Sequence, residues 1–262
     1  MKAFVRALGV DLRRSILSAP FVWTAGLLLA WLLLNSSAEL AAISMRDIAS
    51  VPQVLNSALS NINGFTYLLP ALAPMCYGWS HCLDTRCGFR MAAMERVGVR
   101  AYALSRALST ALSAFLVVAV STGIYLVFLH FLGFADPNPE ILQNGYGYLN
   151  LVAEGHLGFF YFVRIVLLGL ACSLFSVFSL LVSAYIPNVY LSILSPAIAY
   201  YTWYVICVAL RLGGLLQLDV VIFGQAFSDD LRSFAWAAEM LLVLTVLCTY
   251  LFFCRLRKEQ EA

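Results

Sequence analysis

The run IVLLGLACSLFSVFSLLVSAYIPNVYLSILSPAIAYYTWYVICVAL, residues 165–210, extends over 46 residues without a charged side chain. As a single α-helix it would be about 69 Å long, at a rise of 1.5 Å per residue. That length is about twice the 30 Å thickness of the hydrocarbon core of a bilayer. Ile186-Pro187-Asn188 provides a break, because proline lacks a backbone N–H and clashes with the preceding helical turn. The run therefore predicts two membrane helices, 157–186 and 189–210.

The composition of the whole chain agrees with this interpretation. Of the 262 residues, 62% are hydrophobic and only 11% are charged, and the mean hydropathy is +0.87. Soluble globular domains carry about 25% charged residues. A protein surface with so few charges must therefore lie largely in lipid, which excludes a soluble enzyme or a soluble binding domain.

Four more segments are apolar enough to cross a bilayer. Residues 48–83 are uncharged, but the first part is polar and rich in turn-forming residues, so a helix is expected only in the second part. The last apolar stretch is short and is extended back to Ser233, which places Glu239 within it. The predicted fold is an all-α integral membrane protein, a single transmembrane domain over residues 1–262 with six transmembrane helices. The four additional predicted spans are 15–38, 65–83, 107–135 and 233–254.

The basic residues orient the predicted spans. Twelve of the 16 fall into three clusters, and two predicted spans separate each cluster from the next. The loop 136–155 carries three acids and no base. Because cytosolic loops are enriched in Lys and Arg, both termini are predicted to be cytosolic. The three clusters are Lys2, Arg6, Arg13 and Arg14; Arg86, Arg90, Arg96, Arg100 and Arg106; and Arg255, Arg257 and Lys258.

Residues 1–19 show helical amphipathicity. At 100° per residue, Phe4, Val5, Leu8, Leu12 and Ile16 share one arc, and the bases Lys2, Arg6 and Arg13 lie on another side. This pattern predicts an interfacial helix with its apolar face in lipid and its bases at anionic headgroups, followed by a bend at Pro20. A disordered basic leader and a cleaved signal peptide are alternative interpretations of this segment.

The loop 84–106, DTRCGFRMAAMERVGVRAYALSR, holds five arginines. Gly88 and Gly98 bracket FRMAAMERV, residues 89–97, which consists of good helix formers with Met91, Met94 and Val97 at helical spacing. A short helix of this kind, apolar on one side and charged on the other, suits docking into a groove of another protein. A loop that is basic only for topological reasons is the alternative.

The whole chain resembles the ABC-2-type transporter permeases, the membrane subunits of small ABC exporters. The resemblance rests on the amphipathic start, the six predicted spans and the layout of the loop 84–106. In that loop Asp84, Gly88-Phe89-Arg90, Glu95-Arg96 and Tyr102-Ala103-Leu104-Ser105-Arg106 follow the layout of the family. The family often has Glu where Asp84 stands and Lys where Arg106 stands, and both departures keep the charge.

The resemblance implies a function and partners. It implies that a separate ABC ATPase subunit grips this loop through a coupling helix, and that a second permease subunit completes a dimer in the plasma membrane, of bacterial type. Export of an amphipathic, drug-like, lipid-like or peptide substrate by alternating access is the expected activity. The coupling residues expected from the resemblance are Asp84, Gly88, Phe89, Arg90, Met94, Glu95 and Arg96.

The sequence argues that this chain does not hydrolyse ATP itself. A Walker A loop needs a lysine that reaches the nucleotide phosphates, and Lys2 and Lys258, at the two ends of the chain, are the only lysines. ATP and Mg²⁺ are therefore expected on the partner subunit. The spacing of Cys and His residues does not indicate a metal site. The sequence also has no basic stripe interleaved with aromatic residues, the pattern that would indicate nucleic-acid binding. An ATP-independent transporter or channel, or an intramembrane enzyme, are the rival functions.

Two charges fall inside the predicted spans. Arg164 and Glu239 are expected at similar depth near the outer surface, and an ion pair between them would offset the cost of burying each charge. Separate snorkelling towards the interface is the alternative. Between these spans, residues 211–232 are predicted to form an external amphipathic segment, which resembles the external re-entrant helices of the family or is a plain amphipathic loop.

Overall fold

The computed structural model describes residues 2–41, 50–59, 65–132, 147–212, 214–223 and 226–261. This part of the chain is all-helical and contains no strand. Its helices are α1 (Lys2–Ile16), α2 (Ala19–Asn35), α3 (Ser37–Ala41), α4 (Val51–Leu59), α5 (Phe65–Leu72), α6 (Ser80–Arg86), α7 (Phe89–Val97), α8 (Val99–Phe131), α9 (Leu149–Ala153), α10 (Leu157–Tyr185), α11 (Val189–Ala209), α12 (Leu218–Phe223) and α13 (Asp230–Glu261).

Four of these helices, α8, α10, α11 and α13, are long and apolar enough to cross a membrane. A fifth candidate span is the pair α1 and α2, whose axes bend by 51° between Ile16 and Ala19. The bend has a local cause, because the Ser18 hydroxyl accepts a hydrogen bond from the Phe21 N–H at 3.3 Å and so caps α2. Pro20 suits the first turn of a helix, where its missing N–H is not needed. The predicted bend is confirmed.

The uncharged run 165–210 divides where the sequence predicts. Helix α10 ends at Tyr185 and α11 begins at Val189, with Ile186-Pro187-Asn188 between them. Asn188 caps α11, because its side-chain oxygen accepts from the N–H groups of Tyr190 at 3.0 Å and Leu191 at 3.4 Å. One long helix is thereby replaced by two that double back on each other.

The second predicted span is not the continuous helix that was expected. Helix α5 ends at Leu72, a single 3-10 turn covers Ala73–Met75, and α6 begins only at Ser80. Pro74 lies in the 3-10 turn, where it cannot donate to a continuing α-helix. Gly78 follows against α10, where an added Cβ would lie only 2.9 Å from the Ser179 hydroxyl oxygen. The backbone therefore approaches α10 closely where a helix was predicted.

Two boundaries also differ from the sequence prediction. Helix α8 begins at Val99, so the last eight residues of the predicted loop 84–106 belong to a membrane-length helix. Helix α13 extends from Asp230 to Glu261 and is longer at both ends than the predicted span 233–254. The predicted end of span three, 133–135, and most of the acidic loop 136–155 lie outside the described residues. In the segment 211–232 the structure has α12 and then the start of α13.

Helix α10 is the centre of the bundle. It packs against α8, α11 and α13, and 72% of its most apolar stretch is buried, against 22% for α11 and for α13. The outward faces of α11 and α13 carry exposed Leu, Val and aromatic side chains. A soluble monomer rarely exposes apolar surface of this extent, so these faces fit a lipid environment.

The bundle has two polar ends. One end holds Arg164, in the second turn of α10, and Asp230, the first residue of α13. We call this the Arg164 end. At the other end, the Tyr185 ring lies 4.9 Å from the Arg255 guanidinium, and Arg255 shares the Glu259 carboxylate with Arg90 of α7. Arg106 lines a cavity together with residues of α7, and we call this the Arg106 end. Along α10 the two ends are about 31 Å apart, at 1.5 Å per residue, which is close to the thickness of a bilayer core.

Candidate functional site at the Arg106 end

Helix α7 is the short helix that the sequence predicts between two glycines. Gly88 (φ +69°) precedes it and Gly98 (φ +86°) separates it from α8. Both backbone conformations lie in the left-handed half of φ space, where a side chain other than glycine costs about 1 kcal/mol or more. The two glycines therefore allow two sharp turns, and α7 is set off from the helices on either side.

The exposed surface of α7 mixes apolar and charged side chains. Met94 is 3% exposed and anchors the helix, whereas Phe89 is 49% and Met91 is 50% exposed. Glu95 and Arg96 are also exposed. The predicted apolar stripe of Met91, Met94 and Val97 is therefore divided, with Met94 facing inward and Met91 facing outward. This surface can meet a partner through two large apolar side chains with charges beside them.

Asp84, which the resemblance groups with the coupling residues, lies beneath α7 rather than on its surface. Its residue is 3% exposed, and its carboxylate forms a salt bridge with Arg106. It also accepts a hydrogen bond from the Tyr102 hydroxyl at 3.3 Å and lies 3.7 Å from the Arg14 guanidinium. The His81 Nδ1 atom is 3.3 Å from the same Tyr102 hydroxyl.

Arg106 is the centre of this buried cluster and is fully buried itself. Besides Asp84, its guanidinium meets the Asp11 carboxylate at 3.4 Å and donates to the Tyr77 hydroxyl. Its central carbon lies 5.5 Å from the centre of the Tyr77 ring and 5.6 Å from that of Tyr102, within the range of cation–π attraction. Two carboxylates and two aromatic rings thus replace the water that a guanidinium loses on burial.

Asp11 and Tyr77 were not identified from the sequence. Asp11 is the only acid among the first 38 residues, and on a helix of otherwise basic charge this was the signal that could have been used. The Ser105 hydroxyl donates to Asp11 at 3.0 Å, and Asp11 and Ser15 form the buried stripe of α1. Helix α1 therefore packs against the start of α8 through a polar stripe. The predicted apolar arc of α1 lies beside this stripe on the helix surface.

Arg90 connects α7 to the last helix. Its guanidinium donates to the Glu259 carboxylate at 2.8 Å, and Arg255 reaches the same carboxylate at 3.1 Å. Arg255 in turn lies over the Tyr185 ring at the end of α10. The contacts of Arg90 and Arg255 therefore link α7 to α13 and to the end of α10.

A cavity of about 490 Å³ lies between α1, α7 and the start of α8. Arg6, Arg14 and Arg96 contribute positive charge to its walls, and Arg106 and Asp11 belong to its lining. Arg14 also lies over the Phe89 ring at 5.4 Å, so α1 and α7 touch at one edge of the cavity. The exposed surface around α7 is thus predominantly cationic.

Arg164 occupies the opposite end of the bundle and is 3% exposed. It donates to the Asn56 side-chain oxygen at 2.8 Å and to the Gly147 carbonyl at 3.1 Å. The rings of Tyr148 and Phe160 lie 5.4 Å and 5.6 Å from its guanidinium carbon. These contacts tie α4, the segment before α9, and α10 together.

The predicted pair of Arg164 and Glu239 is not brought together. Arg164 faces Asn56 and Gly147, whereas Glu239 is exposed and lines a groove between α11 and α13. The two side chains, both within the described residues, form no salt bridge. The physical reason is rotational, because matching depth along two helices says nothing about which faces of the helices meet.

The start of α13 is fastened to α9 at this end. The Asp230 carboxylate accepts from the Leu151 N–H at 3.1 Å and from the Asn150 side chain at 3.2 Å. Burial raises the pKa of Tyr148 to about 12, with Arg164 lowering it and Asp230 raising it as smaller effects. Tyr148 therefore stays a neutral phenol at physiological pH and offers Arg164 its ring.

Within the ranges that the structure describes, no three His, Cys, Asp or Glu side chains come together as metal ligands. All seven cysteines are free thiols, and Cys87, between α6 and α7, is exposed. Neither observation adds a second candidate site to the one at the Arg106 end.

Comparisons of this chain with models of known protein families, with curated proteins and with solved structures find no match. What can be said of its function therefore follows from the sequence and from the geometry of the helices. These describe a multi-pass membrane protein in which a short helix, α7, stands exposed over a buried charge cluster.

Proposed function

We propose that the chain is the membrane-spanning permease subunit of an ATP-driven transporter of the ABC-2 type, in which α7 docks a separate ATPase subunit. The observation that carries the proposal is α7 itself. It is short, it stands between two glycines of positive φ, and it exposes Phe89 and Met91 beside Glu95 and Arg96. A helix that exposes two large apolar side chains among charges suits a groove in a soluble partner.

The proposed topology has six crossings with both termini in the cytosol. The sixth crossing, beyond the five candidates described above, is the broken segment from α5 to α6. Its support is that Asn56 contacts Arg164 at one end of the bundle, whereas Tyr77 and Asp84 contact Arg106 at the other. These contacts at opposite ends support a crossing of the chain between Asn56 and Tyr77. In this topology α1 lies at the cytosolic interface and its exposed bases meet anionic headgroups.

The contacts beneath α7 suggest how ATP hydrolysis would act on the membrane helices. When the ATPase moves α7, the Arg90–Glu259 contact carries the movement to α13. The Arg106 cluster holds α1, α6 and α8 as one unit, so they move with it. A second permease subunit, as a homodimer or heterodimer, would complete an alternating-access pathway for an amphipathic substrate, with export as the expected direction. Each step requires contacts that differ between the two states.

The docking role of α7 is tested by a charge reversal with a matched control. Glu95→Lys changes an exposed carboxylate on α7, and Glu154→Lys makes the same change at the Arg164 end, where Glu154 is also exposed. The intact complex is purified from its native membrane in mild detergent and analysed for a co-purifying ATPase with a Walker motif. We expect the ATPase to co-purify with the wild type and with Glu154→Lys. With Glu95→Lys, the amount of co-purified ATPase should fall at least tenfold.

Two results would contradict the proposal. Purification of the wild-type complex without any ATPase, together with transport that persists after ATP depletion, would favour an ATP-independent transporter or channel. Labelling of Cys87 in intact cells by a membrane-impermeant maleimide would place the Arg106 end outside and reverse the proposed orientation.

A further inference from the structure

A groove of about 660 Å³ lies between α11 and α13, with α10 as its floor. Its walls are apolar and rich in aromatic side chains. Phe175 and Phe178 come from α10, Tyr200 and Trp203 from α11, and Trp236 from α13. The volume is in the range of small-molecule sites, about 300 to 1,000 Å³.

The groove is covered at the Arg164 end by the segment before α12. The Trp203 indole N–H donates to the Leu216 carbonyl at 2.9 Å, and the Trp236 indole N–H donates to the Leu215 carbonyl at 3.3 Å. Leu216 also lines the groove. Because both indole N–H groups are used on this backbone segment, the two tryptophans offer the groove apolar and π surface.

Among the described residues that line the groove, Glu239 is the one with a charged side chain. It lies below the covering segment, at the end of the groove nearer to Asp230, and its side chain is exposed into that space. Within the described part of the chain, its carboxylate takes part in no hydrogen bond or salt bridge. An ionisable residue inside a membrane span is costly and usually marks a functional site with a partner.

We propose that this groove binds a lipophilic cation, whose charge pairs with Glu239 and whose apolar body lies along the aromatic walls towards Cys248. From Glu239 to Cys248 the groove follows α13 for about 14 Å, at 1.5 Å per residue. Tryptophan and tyrosine rings add cation–π attraction for the same charge. The groove therefore suits a molecule with a positive head and an aromatic or aliphatic body.

Charge complementarity favours this occupant over the two apolar alternatives. A lipid acyl chain, or a helix of a second copy, would cover the apolar walls but would leave Glu239 against hydrocarbon. A cation cancels that charge where it lies. As a substrate site the groove rests on the proposed function, but binding to it does not require the ATPase, so the two proposals can fail separately.

The test uses two probes of the same size and opposite charge. Saturable binding of radiolabelled tetraphenylphosphonium and of tetraphenylborate is measured on the full-length protein in nanodiscs of neutral phosphatidylcholine. We expect the wild type to bind the cation and not the anion. Glu239→Gln should weaken binding of the cation at least tenfold, whereas Glu239→Asp should stay within about threefold of the wild type, because it keeps the charge. Glu154→Gln, which neutralises an exposed carboxylate away from the groove, should bind like the wild type.

A steric variant tests the location independently of charge. Ala199→Trp adds a bulky side chain to the α11 wall of the groove, and we expect it to abolish binding of the cation without changing the monodispersity of the protein. The proposal is overturned if no saturable cation binding is found, if Glu239→Gln binds the cation as well as Glu154→Gln does, or if Ala199→Trp instead dissociates a dimer and leaves cation binding unchanged. The last result would assign the groove to a second copy of the chain.

Discussion

Arg106 and Arg164 are buried at opposite ends of the same helix bundle, and the protein stabilises them in different ways. Arg106 meets two carboxylates, Asp11 and Asp84. Arg164 donates to the amide oxygen of Asn56 and to a backbone carbonyl. Both arginines also lie against two aromatic rings each. The aromatic contact is therefore shared, and the acceptors within the described residues differ: carboxylates for Arg106, an amide oxygen and a backbone carbonyl for Arg164.

This difference has an energetic consequence. Removal of Arg106 takes the closest cation from two buried carboxylates, whereas removal of Arg164 takes a donor from the Asn56 amide oxygen and the Gly147 carbonyl. The first defect is more costly than the second in a medium of low dielectric constant. Loss of Arg106 is therefore expected to destabilise the protein more than loss of Arg164. The Arg106 end is also the end that carries α7.

The largest expected effect is that of Arg106→Met. It leaves the Asp11 carboxylate without its cation and the Asp84 carboxylate with only the more distant, half-exposed Arg14. The free energy of unfolding should fall by about 3 to 5 kcal/mol, as for other broken buried ion pairs. The measurement is reversible unfolding in mixed micelles by titration with a denaturing detergent. Addition of Asp11→Asn and Asp84→Asn to the same chain should restore part of the loss, because both negative charges are then removed. An Arg106→Met protein as stable as the wild type would contradict this account of the cluster.

A smaller effect is expected at the other end. Arg164→Met leaves the Asn56 oxygen and the Gly147 carbonyl without this donor, which costs about 1 to 3 kcal/mol for buried acceptors. The same unfolding titration applies, and Asn56→Ala in the Arg164→Met background should add little, since their contact is already lost. A loss equal to or larger than that of Arg106→Met would remove the contrast between the two ends.

The smallest effects are expected when a tyrosine beside each arginine loses its hydroxyl group and keeps its ring. Tyr102→Phe removes a hydroxyl that donates to Asp84, so the free energy of unfolding should fall by about 1 kcal/mol. Tyr148→Phe keeps the ring beside Arg164, and we expect less than about 0.5 kcal/mol of change, as for substitutions that remove no important contact. The two variants are compared side by side in the unfolding titration. Equal losses would mean that the Tyr148 hydroxyl matters as much as that of Tyr102.

The comparison of the two ends also bears on the proposed function. The Arg106 cluster unites α1, α6 and α8 by salt bridges and hydrogen bonds, and α7 is attached to the last helix by Arg90 and Glu259. The Arg164 contacts hold α4 and α10 to the segment before α9 at the far end. A force applied at α7 would therefore meet a rigid group of helices, which suits the coupling role that we propose.

Several elements could be predicted from the sequence because their signals are local. Pro187 and Asn188 divide the long apolar run at the predicted place, and Gly88 and Gly98 bracket α7. The continuous helix predicted over 65–83 was wrong, although its prolines were visible. The close contact of Gly78 with Ser179, about a hundred residues further along the chain, could not be seen in the local pattern.

The candidate site was only partly predictable for the same reason. Residues 89–97 were identified as a short exposed helix, whereas the cluster below it depends on contacts such as that of Ser105 with Asp11, 94 residues apart. Pairing of Arg164 with Glu239 was inferred from depth alone. Depth follows from counting residues along each helix, but the partner of a side chain depends on how the helices are rotated against each other.

By itself, therefore, the sequence determined that the chain is helical, that its long helices are apolar enough for a membrane, and where several of them begin and end. Hydrophobicity, proline, glycine and capping residues act within one or two turns of a helix, so these features are encoded locally. Only the tertiary structure decided that Asp11 and Asp84 share Arg106, that Arg164 meets Asn56, and that Glu239 faces a groove. Such contacts join helices that are distant in sequence, and they depend on which faces pack together.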